Sequence, residues 1–175
     1  ILMVRPVNFR MNEQTAVNNY YQKVLSDTLP ATINAKAQKE FDDFVVKLKA
    51  NGIEVIVVND TENPNTPDSI FPNNWISFHE NGDIALYPMF AENRRLERRE
   101  DVLEVLERYN FRIENMVDYT EAEEEEFFLE GTGSMILDRE NRKAYCAISP
   151  RADEELFIEF CEDFEFTPVV FVANQ

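Results

Sequence analysis

The sequence predicts a mixed α/β fold assembled from a repeated β-β-α-β unit, and three observations carry that expectation. A turn at Glu80-Asn81-Gly82-Asp83 lies between two segments rich in β-branched, aromatic and other apolar residues. A second turn, Glu140-Asn141-Arg142, lies about 60 residues further on between two more such segments. Each hairpin is followed by an amphipathic helical stretch and then another apolar strand, so every element of the first set recurs in the second in the same order. Units that cannot bury their faces alone need neighbours. About two and a half of them in 175 residues leave an open edge, so further copies closing a ring are expected in the intact protein.

Taken in order, the first element is a strand from Ile1 to Val7, with Pro6 closing it. Asn12 reads as the N-cap of a helix from Glu13 to Leu25. A second helix carries Ala37, Phe41, Phe44, Val45 and Leu48 at helical spacing on one face, and Asn51-Gly52 ends it. The β-branched run Glu54 to Val58 then predicts a strand buried on both faces, which completes a β-α-β arrangement. Residues 60–68 are a polar, proline-bearing loop leaving that strand. The first repeat comprises strands Trp75 to His79 and Ile84 to Met89, a helix from Glu92 to Tyr109 and a strand from Phe111 to Val117. The second comprises strands Ser134 to Asp138 and Ala144 to Ser149, a helix from Ala152 to Phe164 and a strand from Pro168 to Val172.

The bulk composition narrows the function classes. A chain that is 44% hydrophobic can support a folded core. A net charge of -17 argues against nucleic acid as a partner, because phosphate binding needs a positive face. No apolar run approaches the roughly 20 residues of a membrane span, and the N-terminus lacks the parts of a secretion signal. The two cysteines, Cys146 and Cys161, cannot form a disulfide framework and read as reduced core thiols of a cytoplasmic protein. Ile1 in place of an initiator methionine reads as a trimmed or internal start.

Three groups of residues stand out from ordinary scaffold. The first is Pro67-Asp68-Ser69-Ile70-Phe71-Pro72-Asn73-Asn74-Trp75, where two amides beside an acid enter a strand. Either asparagine alone would pass as a turn residue, but the set points towards a polar site. The second is Phe127-Phe128-Leu129-Glu130-Gly131-Thr132-Gly133-Ser134. A carboxylate behind three apolar residues is costly to bury without a purpose, and its glycines allow close backbone approach to a ligand or, alternatively, a bend in the strand. The third is the pair Arg94 and Arg151, each just after the second strand of its hairpin, where two arginines can clamp a carboxylate; Arg98 and Arg99 read as solvated. His79, the only histidine, reads as packing or surface on a strand, and Glu121 to Glu126 as a solvated acidic stretch. A single histidine leaves no histidine-based metal cluster within this chain, and its reading as packing or surface leaves no Ser/His/Asp triad of the usual kind.

Four segments together, Arg5-Pro6-Val7-Asn8-Phe9, Phe71-Pro72-Asn73-Asn74-Trp75, Leu129-Glu130-Gly131-Thr132-Gly133 and Ser149-Pro150-Arg151-Ala152-Asp153, resemble the citrulline-utilisation hydrolases. That group belongs to the pentein superfamily, with arginine deiminase, dimethylarginine dimethylaminohydrolase and the amidinotransferases. The resemblance implies a five-bladed α/β propeller, of which residues 1–175 would be the N-terminal portion of a single catalytic domain. It also implies covalent catalysis without metal or organic cofactor. A cysteine thiolate attacks the ureido or guanidino carbon while a histidine handles the protons. By the same resemblance Glu130 orients that histidine, Asp68 holds the nitrogen end of the substrate, and Arg94 and Arg151 anchor its α-carboxylate.

Asn73 and Asn74 depart from the pattern of arginine-acting relatives, which carry acidic residues there. A guanidinium is cationic and suits carboxylates; a neutral ureido group has both donors and an acceptor, as an amide does. The expected reaction is therefore citrulline to ornithine, with a small amino acid as partner and a homodimer as the candidate assembly. The catalytic histidine and cysteine are expected beyond Gln175, so the 175 residues alone are expected to be inactive. Arginine deiminase or amidinotransferase chemistry is the alternative within enzymes, and a non-catalytic pentein binding module is the alternative outside them. A pocket in which Glu130, Arg94 and Arg151 converge would favour the enzyme.

Overall fold

A computed structural model gives the fold and describes residues 1–17 and 29–173. The chain divides into two compact units. One comprises Ile1–Pro72 with Ala91–Arg112, and the other Asn73–Phe90 with Ile113–Gln175.

In the first unit, strand β1 (Leu2–Arg5) pairs in parallel with β2 (Ile56–Asn59), Leu2 opposite Ile56 and Arg5 opposite Asn59. Asn12 caps the short helix α1 (Glu13–Ala16), its side chain accepting from the Gln14 N–H. The rest of the helix expected up to Leu25 falls outside the described residues. Helix α2 (Pro30–Ala50) makes the crossover, starting on a proline whose missing N–H costs nothing at a helix start and ending at Gly52, with φ +77°. Its expected apolar face is only partly used: Val45 is buried, whereas Phe44 is 51% exposed. The expectation that β2 is buried on both faces also fails, because alternate side chains of a strand point to opposite faces. Val58 is buried and Val57 exposed.

The helix expected from Glu92 to Tyr109 is two helices, α3 (Glu92–Arg95) and α4 (Glu100–Arg108), separated by a turn and an extended Arg99. The cause lies in the sequence between them. Residues 92–99 offer a single large apolar side chain, Leu96, which is exposed, so no apolar stripe holds a continuous helix there. In α4, Val102 and Leu106 are buried, and the helix packs against β2. Arg99 is not simply solvated: it donates to the Asn59 carbonyl, pairs with Asp101, and lies 3.6 Å from the buried Asp60.

The second unit holds both hairpins. Strands β3 (Ile76–Phe78) and β4 (Asp83–Leu86) are antiparallel, and β5 (Asn115–Asp118) joins β4 in parallel. After the single helical turn α5 (Gly131–Ser134), strands β6 (Met135–Asp138), β7 (Lys143–Ala147) and β8 (Thr167–Phe171) repeat that order and those directions. The strands expected at Phe111 and at Pro168 start instead at Asn115 and Thr167.

Helix α6 (Glu154–Asp163) starts on Asp153, whose side chain accepts from the Leu156 N–H. It buries Leu156, Phe157, Phe160 and Cys161 against the third-strand edge of its sheet. The two long module helices end alike. Past α4, Asn110 takes φ +62° and the Phe111 N–H returns to the Leu106 carbonyl; past α6, Glu165 takes φ +56° and the Phe166 N–H returns to the Cys161 carbonyl. This six-to-one closure satisfies carbonyls that a helix end leaves open, and its recurrence marks the repeat at the level of single hydrogen bonds.

One continuous apolar cluster underlies the second unit, running from Tyr87 and Tyr119 through Leu129, Met135 and Cys146 to Phe157, Phe160 and Phe166. Among the described residues no helix is long and apolar enough to cross a membrane.

Candidate functional site

The six residues singled out by the sequence fall into two groups, one in each unit. Asp68 and Arg94 lie in the first unit, and Asn73, Asn74, Glu130 and Arg151 in the second.

Asp68 sits at the end of the polar loop leaving β2. It is buried, and its Oδ2 accepts from Asn12 Nδ2 at 2.8 Å and from the Thr15 hydroxyl at 3.3 Å. Asn12 is itself fixed, because its amide and that of Asn93 donate to one another at 3.1 and 2.8 Å. The side chain that caps α1 therefore also holds Asp68, a role the sequence reading of Asn12 missed. Arg94 Nε lies 4.0 Å from Asp68 Oδ2. The Arg94 guanidinium donates through Nη2 to the carbonyls of Asp68 and Phe71 at 3.5 and 3.4 Å. Arg94 is only 3% exposed, so its charge must be met inside the protein. Most of that is done by Glu97, which takes Nε and Nη2 at 2.9 Å each. Glu97 was not among the expected site residues; its one signal was the three-residue spacing from Arg94. Burial pushes its carboxyl up to about 7, against the downward pull of Arg94.

In the second unit Glu130 is 2% exposed at the head of α5. Its Oε1 accepts from the Phe90 N–H at 3.2 Å, and its Oε2 lies 3.5 Å from Arg151 Nη1. The backbone is tied as well: the Glu130 N–H and the Ser134 hydroxyl both donate to the Arg151 carbonyl. Asn73 is exposed and Asn74 half-buried, and the two do not behave alike. The Asn74 side chain is turned inward, donating from Nδ2 to the Glu130 carbonyl at 3.3 Å.

The glycines of this motif serve that packing. Gly131 has φ +42°, and a Cβ there would meet the Asn73 carbonyl at 2.5 Å and the Tyr87 ring at 2.9 Å. A Cβ on Gly133 would overlap the Asn74 amide. The close approach they permit is thus to the Asn73-Asn74 segment of the protein itself.

Arg94 and Arg151 differ in setting. Arg94 belongs to helix α3, eight residues past β4, whereas Arg151 lies in the turn four residues past β7. Arg151 also stands over the Phe90 ring, 5.9 Å from its centroid.

His79, read from the sequence as packing or surface on a strand, lies directly after β3 and is a packing residue. It stacks on Phe164 at 4.1 Å, its Nε2 meets Ser77 Oγ at 3.0 Å, and its Nδ1 faces Arg139 at 3.4 Å. Burial, with Arg139 nearby, lowers its pKa to about 4. Cys146 and Cys161 are buried, and desolvation pushes their thiols up to about 11 and about 12, the opposite of an activated nucleophile. The acidic stretch 121–126 is mostly exposed, except that Glu123 accepts the Met89 N–H at 2.7 Å. Among the described residues no group of three or more His, Cys, Asp and Glu is arranged to hold a metal ion.

Solved structures of several hydrolases superpose on this chain. One is a cysteine-to-serine mutant of the N-terminal domain of ArgZ bound to substrate, ArgZ being an arginine dihydrolase from the ornithine–ammonia cycle in Cyanobacteria. It matches with a TM-score of 0.69 at 15% identity, over 99% of this chain and 58% of that one. Another is a cysteine-to-serine mutant of dimethylarginine dimethylaminohydrolase from Pseudomonas aeruginosa complexed with citrulline, at 0.66 and 16%, over 99% and 60%. A third is a histidine-to-glycine dimethylarginine dimethylaminohydrolase as its adduct with S-methyl-L-thiocitrulline, at 0.63 and 15%, over 99% and 61%.

At such identities the likeness establishes the fold, the modular α/β pentein fold that the sequence predicted. The chain spans about 58% of the length of the first of these structures. No curated protein matches it by sequence. The family model described as "N,N dimethylarginine dimethylhydrolase, eukaryotic" matches residues 5–175, and the chain belongs to that family.

Proposed function

We propose that this chain carries substrate-holding residues of a hydrolase that cleaves a C–N bond of a ureido or guanidino amino acid, with citrulline, giving ornithine, as the favoured substrate. The observation that carries the reading is the buried Glu130 carboxylate, pinned between the Phe90 N–H and Arg151 on a turn that glycine alone permits. A carboxylate at 2% exposure costs stability unless it is paired and hydrogen-bonded, and a protein that builds such a pair at the head of a turn is a candidate for using it. In this reading Glu130 orients the histidine that moves protons, and Arg151 neutralises it and meets the substrate's α-carboxylate. Asp68, held by Asn12 and Thr15, takes the nitrogen end, and Arg94 serves the α-carboxylate. Asn73 contacts the ureido group, while Asn74 acts mainly by closing the Glu130 turn.

The nucleophilic cysteine and the proton-transferring histidine are assigned to sequence following Gln175. What supports this is that His79, Cys146 and Cys161 are all committed to packing and held in their neutral forms at neutral pH. The thiolate would add to the ureido carbon, ammonia would leave after protonation, and water would release the ornithine-bearing carbamoyl group from sulfur as a carbamate, which loses carbon dioxide to give ornithine. Free, buried thiols also suit a cytoplasmic protein.

A second reading is favoured by the family itself: hydrolysis of N,N-dimethylarginine, whose cationic group calls for carboxylates. Asn73 is the residue that argues against it. Turnover of citrulline, arginine and N,N-dimethylarginine by the full-length protein, compared as kcat/KM, decides between them. Equal or greater activity on either guanidino compound refutes the citrulline assignment.

A further inference from the structure

Glu97 is as deeply buried as the arginine it faces, 3% exposed in each case. Its two oxygens take Nε and Nη2 of Arg94 in parallel, the fork-on-fork arrangement that fixes the plane of a guanidinium as well as its distance. Arg94 needs such a fixture. It sits on a four-residue helix, a form that an isolated segment of that length would not hold by itself. Around the same guanidinium stand the Phe71 and Asp68 carbonyls and, at 4.0 Å, the Asp68 carboxylate. Neutralisation alone would need one close carboxylate oxygen, whereas Glu97 places two, in parallel, on the guanidinium. What Glu97 adds is a two-point grip on one edge of the fork.

Resting on the assignment of Arg94 to the substrate's α-carboxylate, we propose that Glu97 is a positioning residue that sets the plane and direction of the Arg94 guanidinium, so that affinity for the amino-acid end of the substrate is governed by a side chain that never touches it. The pH dependence follows. As pH falls through about 7, Glu97 takes up a proton and one of its two acceptor oxygens becomes a hydroxyl donor, which undoes the fork. The charges that reach Glu97 are those of Arg94, Asp68 and Asp60, with Arg99 pairing with Asp60.

The test uses the full-length protein with whichever ureido or guanidino amino acid it turns over, alongside the α-decarboxylated analogue of that compound. Glu97→Gln keeps the shape and loses the charged fork. At pH 8 it raises KM for the amino acid about tenfold, with kcat within about twofold, and leaves KM for the decarboxylated analogue unchanged. The wild-type KM for the amino acid climbs as pH falls below 7, and that inflection disappears in Glu97→Gln. Glu97→Asp restores most of the affinity. Equal effects of Glu97→Gln on both compounds, or a KM inflection that survives in the variant, overturns the proposal. Arg94→Lys separates the two levels of the argument. If it leaves the ratio of the two KM values unchanged, the Arg94 assignment fails and the role of Glu97 fails with it. If it raises that ratio while Glu97→Gln does not, only the positioning role fails.

Discussion

Acidification should destabilise the second unit through His79, and the size of the effect follows from its surroundings. In the folded state burial and Arg139 hold the imidazole neutral down to about pH 4, against an ordinary value of 6.5 in the open chain. Between those values the unfolded chain binds a proton that the folded chain refuses, so stability rises with pH across the window and is lost as pH falls from 6.5 towards 4. At about 1.4 kcal/mol per unit, the full effect is about 3 kcal/mol, of which about 2 kcal/mol has developed by pH 5. Glu97 works in the opposite sense. Its folded value of about 7 against an ordinary 4.5 means that the folded state keeps its proton longer, so stability falls as pH rises through that range. The raw pH profile mixes the two. The difference between wild type and His79→Gln isolates one, because Glu97 and the other carboxylates cancel. The assay is urea unfolding at pH 7.5 and pH 5, followed by the fluorescence of Trp75, the single tryptophan, which is buried and immediately precedes β3. Wild type should lose about 2 kcal/mol more than the variant. Parallel losses in the two proteins would refute the argument, and with it the buried, neutral state of His79.

Other outcomes follow from the same geometry. Gly131→Ala should cost about 2 kcal/mol or more in the same unfolding assay, since the new methyl meets the Asn73 carbonyl at 2.5 Å on a backbone with φ +42°. Glu130→Gln in the full-length protein should lower kcat by roughly 100-fold or more while KM stays within a few fold, measured by product release; an unchanged kcat would remove Glu130 from the mechanism. Asn73→Asp should shift kcat/KM towards arginine relative to citrulline by about tenfold, because an exposed amide becomes a carboxylate without disturbing the turn. Asn74→Asp should instead show first as a loss of stability of about 1–3 kcal/mol, since it turns a donor to the Glu130 carbonyl into a second acceptor.

The repeat was legible because its signals are local. A hairpin turn and a helix with one apolar face each act within a few residues of themselves, and together they fix the order of β3 to β8. The break between α3 and α4 was not legible. A run such as Arg94-Arg95-Leu96-Glu97-Arg98-Arg99 has good helix formers throughout, and only the lack of anything for it to pack upon stops the helix. Glu97 was hidden for the same reason, as one more charge in a charged segment, although it is among the most buried polar groups described. Motif matching brought out Glu130 and the asparagines, but treated Asn73 and Asn74 as one pair. Their division of labour depends on Glu130, 56 residues beyond Asn74, which no spacing rule conveys.

The contact between Asn74 and Gly133 limits how this protein can change. Any side chain at 133 needs the space that the Asn74 amide fills, and any shorter side chain at 74 leaves the Glu130 carbonyl without that donor. The two positions are therefore epistatic, each restricting the substitutions the other accepts, and a lineage moves them together or not at all. Asn73 carries no such obligation and can vary singly. If Asn73 contacts the ureido group as proposed, substrate preference is adjustable at one position without first passing through a destabilised intermediate, which makes Asn73 the natural first step when such a site drifts from one nitrogenous group to another.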